Sequence, residues 1–429
     1  MSERIERLMF ACADLLIEKE TAPLEDMLDF YMEGGRMLVA GEEVPTLSVI
    51  PWLQAQSDYD KRETMRDECR IYFKAILNPI LIGIVDLTQR SVREKCGFDD
   101  YLKYCEAKKR VSFDAYAPRL SDYLDSTQDA YVSRMAPWVR SELGREFDRI
   151  SHYHALYLLR IRGFDEYFPE SRLLDLIYAT FGGLGVDLAT TPGIVFDIGS
   201  QPSKIPDGVC IGVDIPGDVH VVMNPVGGFI DAETILHEAG HAFFLSQMDP
   251  ELPMEYRRLY RSPALDESFA FLFADLLGNP RWLTSVAGMP IASAEEQARL
   301  YANKRLCLIR RHIGKFLAQK EFFEKGRLKD QSPYLHYLER ATGFVYQPEA
   351  YLMDMEADFY AFDYVMGWAG SSVLGAFLEA EFGPDWFGRA ETGRFLTAMA
   401  RSGRRMSLDD ALTTFCGSGP RLPEFLSGD

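Results

Sequence analysis

The most informative stretch of this 429-residue chain lies just past its middle and contains two of its seven histidines. Residues 235–244 read Ile235-Leu236-His237-Glu238-Ala239-Gly240-His241-Ala242-Phe243-Phe244. Side chains four residues apart lie on one face of a helix, so His237 and His241 can present their imidazoles to one metal ion. Glu238, next to the first histidine, is then placed to act as a general base on a water at the open metal position.

This spacing is a specific signal because the chain contains only seven histidines. From composition alone, an HExxH pattern would arise by chance in roughly one such chain in a hundred. Neutral imidazole is a good zinc ligand, and zinc lowers the pKa of bound water and polarises a carbonyl group. The alternative is a helix with two partly buried histidines and a surface glutamate. We therefore predict a zinc metalloenzyme with His237 and His241 as ligands and Glu238 as the catalytic carboxylate.

Two histidines leave zinc in need of a third protein ligand, which we expect on a later helix. Residues 265–275 form an apolar helical run with Glu267 near its start. A carboxylate entering so apolar a helix is costly to bury unless it is paired or bound to metal. Glu267 is therefore the predicted third ligand, and Asp266 is the neighbouring alternative with a shorter reach. Without a metal, Glu267 would be a helix-terminal charge favoured by the helix dipole.

The residues around these motifs predict a mainly α-helical fold with one small β-sheet. Apolar positions recur at helical spacing from residue 1 to about 190 and again from 231 almost to the end. Between them, runs rich in β-branched residues predict strands at 194–196, 209–213 and 219–223. We expect a helical N-terminal lobe at 1–190 and a catalytic zinc-binding lobe at 191–429, or one continuous body. The sheet should line a deep active-site cleft.

Two further predictions concern helix boundaries. Asp231 or Thr234 is expected to cap the helix that carries the histidines, because both side chains accept hydrogen bonds from a helix N-terminus. Residues 131–162 are expected to be helical, since their apolar residues recur at helical spacing.

Composition limits the partners and the compartment. A net charge of −19 disfavours nucleic acids and anionic membranes. No signal peptide is visible, and the apolar stretch 75–85 is interrupted by Asn78 and Pro79 and falls short of a membrane span. Seven scattered cysteines without a CxxC pair suit a reducing compartment. We expect a soluble cytoplasmic protein that binds neither nucleic acid nor membrane; its oligomeric state is not predicted.

Residues 195–385 resemble the thimet oligopeptidase and oligoendopeptidase F family of gluzincin zinc peptidases. The resemblance rests on the histidine motif, on the later helix phrase 267–273 and on the strand-to-loop phrase 221–228. It implies zinc held by His237, His241 and Glu267, and a strand that binds the backbone of a short, unfolded peptide by β-addition. The substrate it implies is a short peptide or a peptide-like molecule.

The stretch 358–368 is similar to the tyrosine-rich helix of that family. The similarity implies that Tyr360 or Tyr364, four residues apart on one helix face, donates a hydrogen bond to the tetrahedral oxyanion. Either tyrosine could instead be a core aromatic with a satisfied hydroxyl. Larger family members carry a histidine shortly before these tyrosines, whereas this chain has none after His336.

The predicted function is zinc-dependent hydrolysis of peptide bonds in short peptides by metal-activated water, with Glu238 taking and then returning the proton. Because of the missing histidine, an alternative is action on one specialised modified peptide or a non-peptide amide. A further alternative is a catalytically inactive peptide-binding protein. The basic stripe at 304–315 is predicted to be a solvated helix face paired with acidic neighbours, or else a site that recognises a peptide carboxylate.

Overall fold

The computed structural model describes residues 2–201, 204 and 207–423, apart from the side chain of Arg149. Its architecture is mainly α-helical with small sheets, so the predicted fold class is confirmed. The α-helices that precede the central sheet are α1 Glu3–Gly34, α2 Val49–Ala55, α3 Tyr59–Tyr72, α4 Asn78–Glu94, α5 Tyr101–Lys109, α6 Phe113–Ser126, α7 Gln128–Leu143, α8 His152–Leu158 and α9 Leu173–Gly183.

The stretch 131–162, predicted to be helical, contains two α-helices with a break between them. Helix α7 ends at Leu143, and the following Gly144 adopts a left-handed conformation with φ of 62°. Glycine takes up this conformation without a β-carbon penalty, and it commonly terminates helices. The next α-helix, α8, begins only at His152.

A two-stranded hairpin after α1 was not predicted from the sequence. It pairs β1 Arg36–Val39 antiparallel with β2 Glu42–Pro45. Ala40 and Gly41 both have positive φ, as tight two-residue hairpin turns require. The hairpin's inward side chains belong to a buried cluster, whose members are Met37, Val39, Val44, Leu53, Met65, Cys69 and Tyr153.

The predicted three-stranded sheet is present. Its strands are β3 Ile194–Ile198, β4 Gly208–Asp214 and β5 Asp218–Met223. The central strand β5 runs parallel to β3 and antiparallel to β4, which leaves both of those strands at the sheet edges. Alternate side chains of β5 (Val219, Val221 and Met223) are buried, so one face of the sheet is covered.

The helices after the sheet begin with the one that carries the histidines. They are α10 Phe229–Ser246, α11 Met254–Arg258, α12 Ala264–Ala274, α13 Pro280–Ser285, α14 Ile291–Lys325, α15 Ser332–Thr342, α16 Tyr360–Phe382, α17 Ala390–Ala400 and α18 Leu408–Cys416. Helix α10 packs against α12, β4 and β5, and it therefore lies on the covered face of the sheet.

The described chain divides into two compact units that are discontinuous in sequence. The first unit contains residues 2–159 and 306–362, and the second contains the described residues of 160–305 and 363–423. This division differs from the expected boundary near residue 190. The difference arises because α15 and the second half of α14 pack with the N-terminal helices, as the buried contacts of Arg310 with Leu124 and Thr127 illustrate.

Helices α3 and α4 form one continuous helical run, Tyr59–Glu94, through a short π-helical turn at Phe73–Leu77. This run is long and apolar enough to cross a membrane, whereas the apolar stretch 75–85 alone was expected to be too short. Only 17% of its most apolar window is buried. The core helices of soluble proteins can have the same length and composition.

The basic stripe on α14 is paired with carboxylates, as predicted. The pairs are Lys304 with Glu233, Arg305 with Asp275, Arg311 with Asp354 and Lys315 with Glu356. The side chains of Lys304 and Lys315 are nevertheless buried, so the stripe is not a solvated face.

Candidate metal centre

Helix α10 is held by close backbone contacts on two sides. A β-carbon on Gly240 would lie 2.7 Å from the Cα of Ala270 and 2.8 Å from the carbonyl oxygen of Phe269, both on α12. On the sheet side, a β-carbon on Gly208 of β4 would lie 2.4 Å from Cγ2 of Thr234. Contacts this short exclude any larger residue unless the backbone moves. The glycine inside the histidine motif thus sets the spacing between α10 and α12.

The start of α10 differs from both predicted caps. The helix begins at Phe229, with Gly228 as its N-cap residue in a left-handed conformation with φ of 89°. Asp231 lies inside the first turn. Its carboxylate accepts hydrogen bonds from two N–H groups of the preceding loop, those of Val226 at 3.1 Å and Gly227 at 2.6 Å. Thr234 lies further along the helix. The predicted capping by Asp231 or Thr234 is therefore wrong, because the loop folds back onto the helix.

A residue far away in sequence caps α10 instead. The carboxylate of Asp165 accepts a hydrogen bond from the N–H of Phe229 at 2.9 Å and lies where a side chain on Gly228 would be. Arg160 donates to this carboxylate at 3.3 Å and to the carbonyl of Gly227 at 2.6 Å. Sequence analysis missed Asp165 and Arg160, because no local pattern links them to a helix more than 60 residues later.

Three potential metal ligands converge at this place. Nitrogen or oxygen atoms of His237, His241 and Glu267 all lie within 4.8 Å of one another. Nε2 of His237 is 3.4 Å from one carboxylate oxygen of Glu267, and Nε2 of His241 is 3.7 Å from the other. These distances are too long for good hydrogen bonds. Two ligands about 2.1 Å from a tetrahedral zinc ion lie about 3.4 Å apart, so the donor set and its spacing fit zinc.

Burial keeps both histidines in the form that binds metal. It lowers the pKa of His237 to about 4. The pKa of His241 is also lowered, chiefly by burial and further by the neighbouring His237 and the Arg404 guanidinium. Metal binding requires the unprotonated imidazole nitrogen, so no proton has to be displaced at neutral pH.

Glu238 lies on the same helix in a different environment. Burial and the nearby Asp207 carboxylate raise its pKa to about 7, while the backbone N–H of Cys210 on β4 opposes this rise. A bound divalent cation would lower this pKa again. A carboxylate that ionises near neutral pH is suited to accept and return a proton.

Glu267 lies in the first turn of α12, and its side chain is only 2% exposed. Helix α16 passes directly over it at a glycine, because a β-carbon on Gly367 would lie 2.6 Å from Cβ of Glu267. A larger residue at 367 would displace the carboxylate. The position of the third potential ligand therefore depends on α16 as well as on α12.

Asp266, the alternative ligand, has a different partner. Its Oδ2 accepts two hydrogen bonds from Arg404, at 2.6 and 3.1 Å, and both side chains are buried. The Arg404 guanidinium also lies 3.7 Å from the ring centroid of Tyr260. Among the described residues, the cluster that could hold a metal contains Glu267 and not Asp266.

The two predicted catalytic tyrosines occupy different units. Tyr364 belongs to the second unit, where its ring centroid is 5.7 Å from that of Phe271. Phe271 in turn lies 5.0 Å from the imidazole of His237, so one aromatic ring connects Tyr364 to the cluster. Tyr360 is the first residue of α16 and belongs to the first unit.

A third tyrosine near the cluster was missed by sequence analysis. Tyr260, in the loop before α12, has a pKa raised to about 12, chiefly by burial and further by Asp266, Cys210 and Glu267, while the Arg404 guanidinium opposes the rise. The residue as a whole is nevertheless 45% exposed. The only sequence signal was its position seven residues before Glu267.

Solved structures share this fold although their sequences differ. A protein assigned as oligoendopeptidase F matches with a TM-score of 0.66 at 14% identity, over 97% of this chain and 76% of that one. PZ peptidase A with an inhibitor matches with a TM-score of 0.63 at 14% identity, over 99% and 77% of the two chains. A structure from Bacillus anthracis that is assigned as oligoendopeptidase F matches with a TM-score of 0.61 at 14% identity, over 97% of this chain and 75% of that one.

These matches confirm the predicted structural resemblance to oligoendopeptidase F. The shared fold extends over almost the whole chain and therefore includes the N-terminal helices, which the sequence resemblance did not cover. No protein-family model matches the chain, and no curated protein sequence matches it.

Proposed function

We propose that this protein is a zinc-dependent peptidase that hydrolyses short peptides. The observation that carries the proposal is the convergence of His237, His241 and Glu267, whose potential ligand atoms lie within 4.8 Å of one another. The fold supports it, because solved structures with this fold include those of oligoendopeptidase F and PZ peptidase A. Fold alone does not define an activity, so the donor set is the main argument.

Zinc bound to these three side chains would supply a Lewis acid and lower the pKa of a water molecule. Glu238 accepts the proton of the attacking water on its carboxylate and returns it to the nitrogen of the leaving amine. Its buried position near the ligands, with a pKa of about 7, suits both transfers. Tyr364 or Tyr360 donates a hydrogen bond to the oxygen that becomes negatively charged.

The substrate class follows from the strand beside the helix. Strand β5, which the sequence resemblance implied for β-addition, cannot take this role because both of its sides are paired within the sheet. Strand β4 is a sheet edge, and its residue Cys210 directs its N–H toward Glu238. An extended peptide that pairs with a sheet edge is held by main-chain hydrogen bonds, which read no particular side chain. We propose short peptides or peptide-like molecules as substrates. We further propose a cytoplasmic location, which the seven free cysteines support, and no nucleic-acid or membrane partner.

The decisive experiment measures bound metal and peptide turnover in parallel for the wild type, Glu267→Ala and Glu238→Gln. We expect about one zinc per chain in the wild type, loss of zinc in Glu267→Ala, and full zinc without turnover in Glu238→Gln. Glu251→Ala is the control for Glu267→Ala, since it removes an exposed carboxylate from the same unit and should retain zinc. A wild type without metal after zinc is supplied would rule out the proposal.

One observation favours a second candidate function, namely action on a specialised modified peptide or a non-peptide amide. The chain has no histidine after His336, so the residues before Tyr360 offer only carboxylates where larger peptidases carry an imidazole. A zinc-loaded protein that cuts no member of a broad peptide library would favour this alternative. Full zinc with no Glu238-dependent turnover of any amide would instead indicate a peptide-binding protein without catalysis.

A further inference from the structure

The two faces of strand β4 carry very different side chains. The face toward α10 carries Gly208, Cys210 and Gly212, and a β-carbon on Gly208 would lie 2.4 Å from a methyl group of α10. On the other face Val209 and Ile211 are 45% and 46% exposed, and we call these two residues the outer pair. Successive side chains of a strand point to opposite faces. A strand placed beside β4 would therefore meet large apolar side chains of β4 on the outer face only.

The backbone of β4 faces the free edge of the sheet at every second residue. In an antiparallel pair, residues that bond to the neighbouring strand alternate with residues whose N–H and C=O groups point away from it. The carbonyl of Asp207 accepts a hydrogen bond from the N–H of Asn224 at 3.1 Å, just beyond β5, whereas the N–H of Cys210 donates to Glu238. Residues 208, 210 and 212 therefore present their backbone groups at the free edge, beside the proposed catalytic carboxylate.

A lysine covers the opposite edge of the sheet, at the end of β3. Nζ of Lys204 donates to the carbonyl groups of Asp197 and Gly199 at 3.0 and 3.4 Å, and to the Asp197 carboxylate at 2.8 Å. Lysine on an edge strand is a common protection against the addition of another strand. The sequence of β4, residues 208–214, contains neither lysine nor proline. Strand β4 is therefore the edge to which an extended peptide can add.

A peptide that adds to β4 alternates its side chains in the same way as β4. Side chains directly opposite each other on neighbouring strands lie on the same face, about 4.5–5.5 Å apart. Two peptide residues separated by one residue would therefore lie beside Val209 and Ile211, and the residue between them would point toward α10. Apolar side chains at these two positions would cover the exposed outer pair, and each contact would favour the peptide by up to about 5-fold.

We propose that the outer pair, Val209 and Ile211, determines substrate specificity by selecting extended peptides with apolar side chains at two positions separated by one residue. This assignment rests on the proposed function, because the peptide it describes is the one that Glu238 would act on. The residue between the two selected positions faces Cys210 and its flanking glycines, so the outer pair does not select it.

Peptide turnover tests the selection residue by residue. Valine is placed at each position in turn of an internally quenched alanine-rich peptide, and mass spectrometry identifies the cleaved bond. We expect kcat/KM to rise by up to about 5-fold at two positions separated by one residue. Val209→Thr should abolish the gain at one of these positions, and Ile211→Thr should abolish it at the other. Threonine keeps the β-branched shape, and circular dichroism verifies that each variant is folded.

Val195→Thr is the matched control for both variants. Val195 is 43% exposed and lies opposite His220 of β5, as Ile211 does from the other side, but it belongs to β3. Both valine gains should therefore persist in this variant. In Ile211→Lys, glutamate should replace valine as the preferred residue at the position assigned to Ile211, because opposite charges attract across neighbouring strands. A merely structural role of Ile211 would not produce this exchange of preference.

Peptide binding separates the specificity from the hydrolysis. In Glu238→Gln supplied with zinc, fluorescence anisotropy should show a peptide with both valines binding about 10-fold more tightly than the all-alanine peptide. Binding in this pattern without cleavage by the wild type would contradict the proposed hydrolysis but support the role of the outer pair. Cleavage without the two alternate valine gains, or gains that persist in both Val209→Thr and Ile211→Thr, would overturn that role alone. A protein that neither binds nor cleaves these peptides would overturn both.

Discussion

Gly240 of α10 lies against Ala270 of α12 so closely that a β-carbon on Gly240 would be 2.7 Å from the Cα of Ala270. Because His241 and Glu267 are carried by these two helices, the distance between the helices fixes the distance between two potential ligands. The glycine between the two histidines thus acts on the geometry of the metal centre without offering a ligand.

Gly240→Ala should separate α10 from α12 and weaken metal binding. We expect zinc affinity to fall about 10-fold or more, and stability to fall by about 1–3 kcal/mol from overpacking. Metal titration and urea unfolding measure the two effects. Gly375→Ala on α16 is the matched control, because its new methyl group would meet only Cδ1 of Leu272 at 3.8 Å. Unchanged zinc affinity in Gly240→Ala would show that the helix spacing does not control the site.

The buried pair of Asp266 and Arg404 should contribute to stability only as a pair. Arg404→Met leaves a buried carboxylate without its cation and should cost about 3–5 kcal/mol, whereas Arg404→Met with Asp266→Leu should cost much less. Urea unfolding of the wild type, both single variants and the double variant measures this difference. Equal losses in Arg404→Met and the double variant would mean that other contacts of Arg404 dominate.

Removal of the hydroxyl that stabilises the oxyanion should lower turnover but not metal content. We expect Tyr364→Phe or Tyr360→Phe to lower kcat by about 10²–10³-fold with KM little changed. The solvent-exposed Tyr260 makes Tyr260→Phe a third variant worth measuring. Tyr178→Phe on α9 controls for loss of a phenol elsewhere. Full turnover in both Tyr360→Phe and Tyr364→Phe would exclude their predicted role.

His154 should make the first unit sensitive to acid. His154 is fully buried. Its Nδ1 accepts a hydrogen bond of 2.9 Å from Arg62, and its Nε2 lies 2.6 Å from a carboxylate oxygen of Glu63. Arg62 can only donate, so Nδ1 must stay unprotonated for this contact. Burial, together with the Arg62 charge, lowers the pKa of His154 from 6.5 to about 4, although Glu63 opposes the shift.

The pKa of His154 is lower in the folded state than in the unfolded state. Its contribution to the free energy of unfolding is therefore complete above about pH 6.5 and is lost as the pH falls toward 4. The loss should reach up to about 3 kcal/mol. Thermal unfolding between pH 7 and pH 4 should show a weaker pH dependence in His154→Gln than in the wild type. Substitution of the exposed His336 by glutamine should leave the dependence unchanged. Parallel curves for the wild type and His154→Gln would contradict the prediction.

Arg310 should be essential for stability of the first unit, where its hydrogen bonds go to backbone carbonyls and neutral side chains. It is fully buried and donates to the carbonyl groups of Leu124 and Ala341, at 2.6 and 2.7 Å, near the C-terminal ends of α6 and α15. It also donates to Thr127 and Gln128 and lies over the ring of Tyr131. The negative ends of two helix dipoles thus replace a counter-ion.

Arg310→Met should therefore cost about 3–5 kcal/mol, because it leaves several buried acceptors without donors. Arg310→Lys should recover only a small part, since an ammonium group lacks the planar arrangement of donors. Urea unfolding measures both, with the exposed Arg327→Met as the control that should lose less than about 0.5 kcal/mol. A loss of that small size in Arg310→Met would refute the argument.

Much of the candidate site was predictable because its main motif is local. His237, Glu238 and His241 lie within one helix, and helical periodicity alone places the two imidazoles on one face. The three central strands were predictable for a similar reason, since their β-branched runs are short and bounded by turn residues. Glu267 could be proposed because a carboxylate within an apolar run is unusual, although the sequence could not exclude Asp266.

Other features depend on contacts between residues that are distant in sequence. The cap of α10 comes from Asp165, and Asp266 is directed to Arg404, 138 residues away. The chain also divides at 159 and not near 190, because the end of α14 returns to the N-terminal helices.

The sequence by itself therefore determined the helical character of the chain, the face of α10 that carries both imidazoles and the chemistry that two imidazoles and a carboxylate support. These depend on backbone periodicity and on side-chain type, which are local properties. Only the tertiary structure decided that Glu267 and not Asp266 meets the histidines, and that Asp165 caps α10. Both outcomes depend on which helices approach one another, and that is set by the volume and burial of residues distant in sequence.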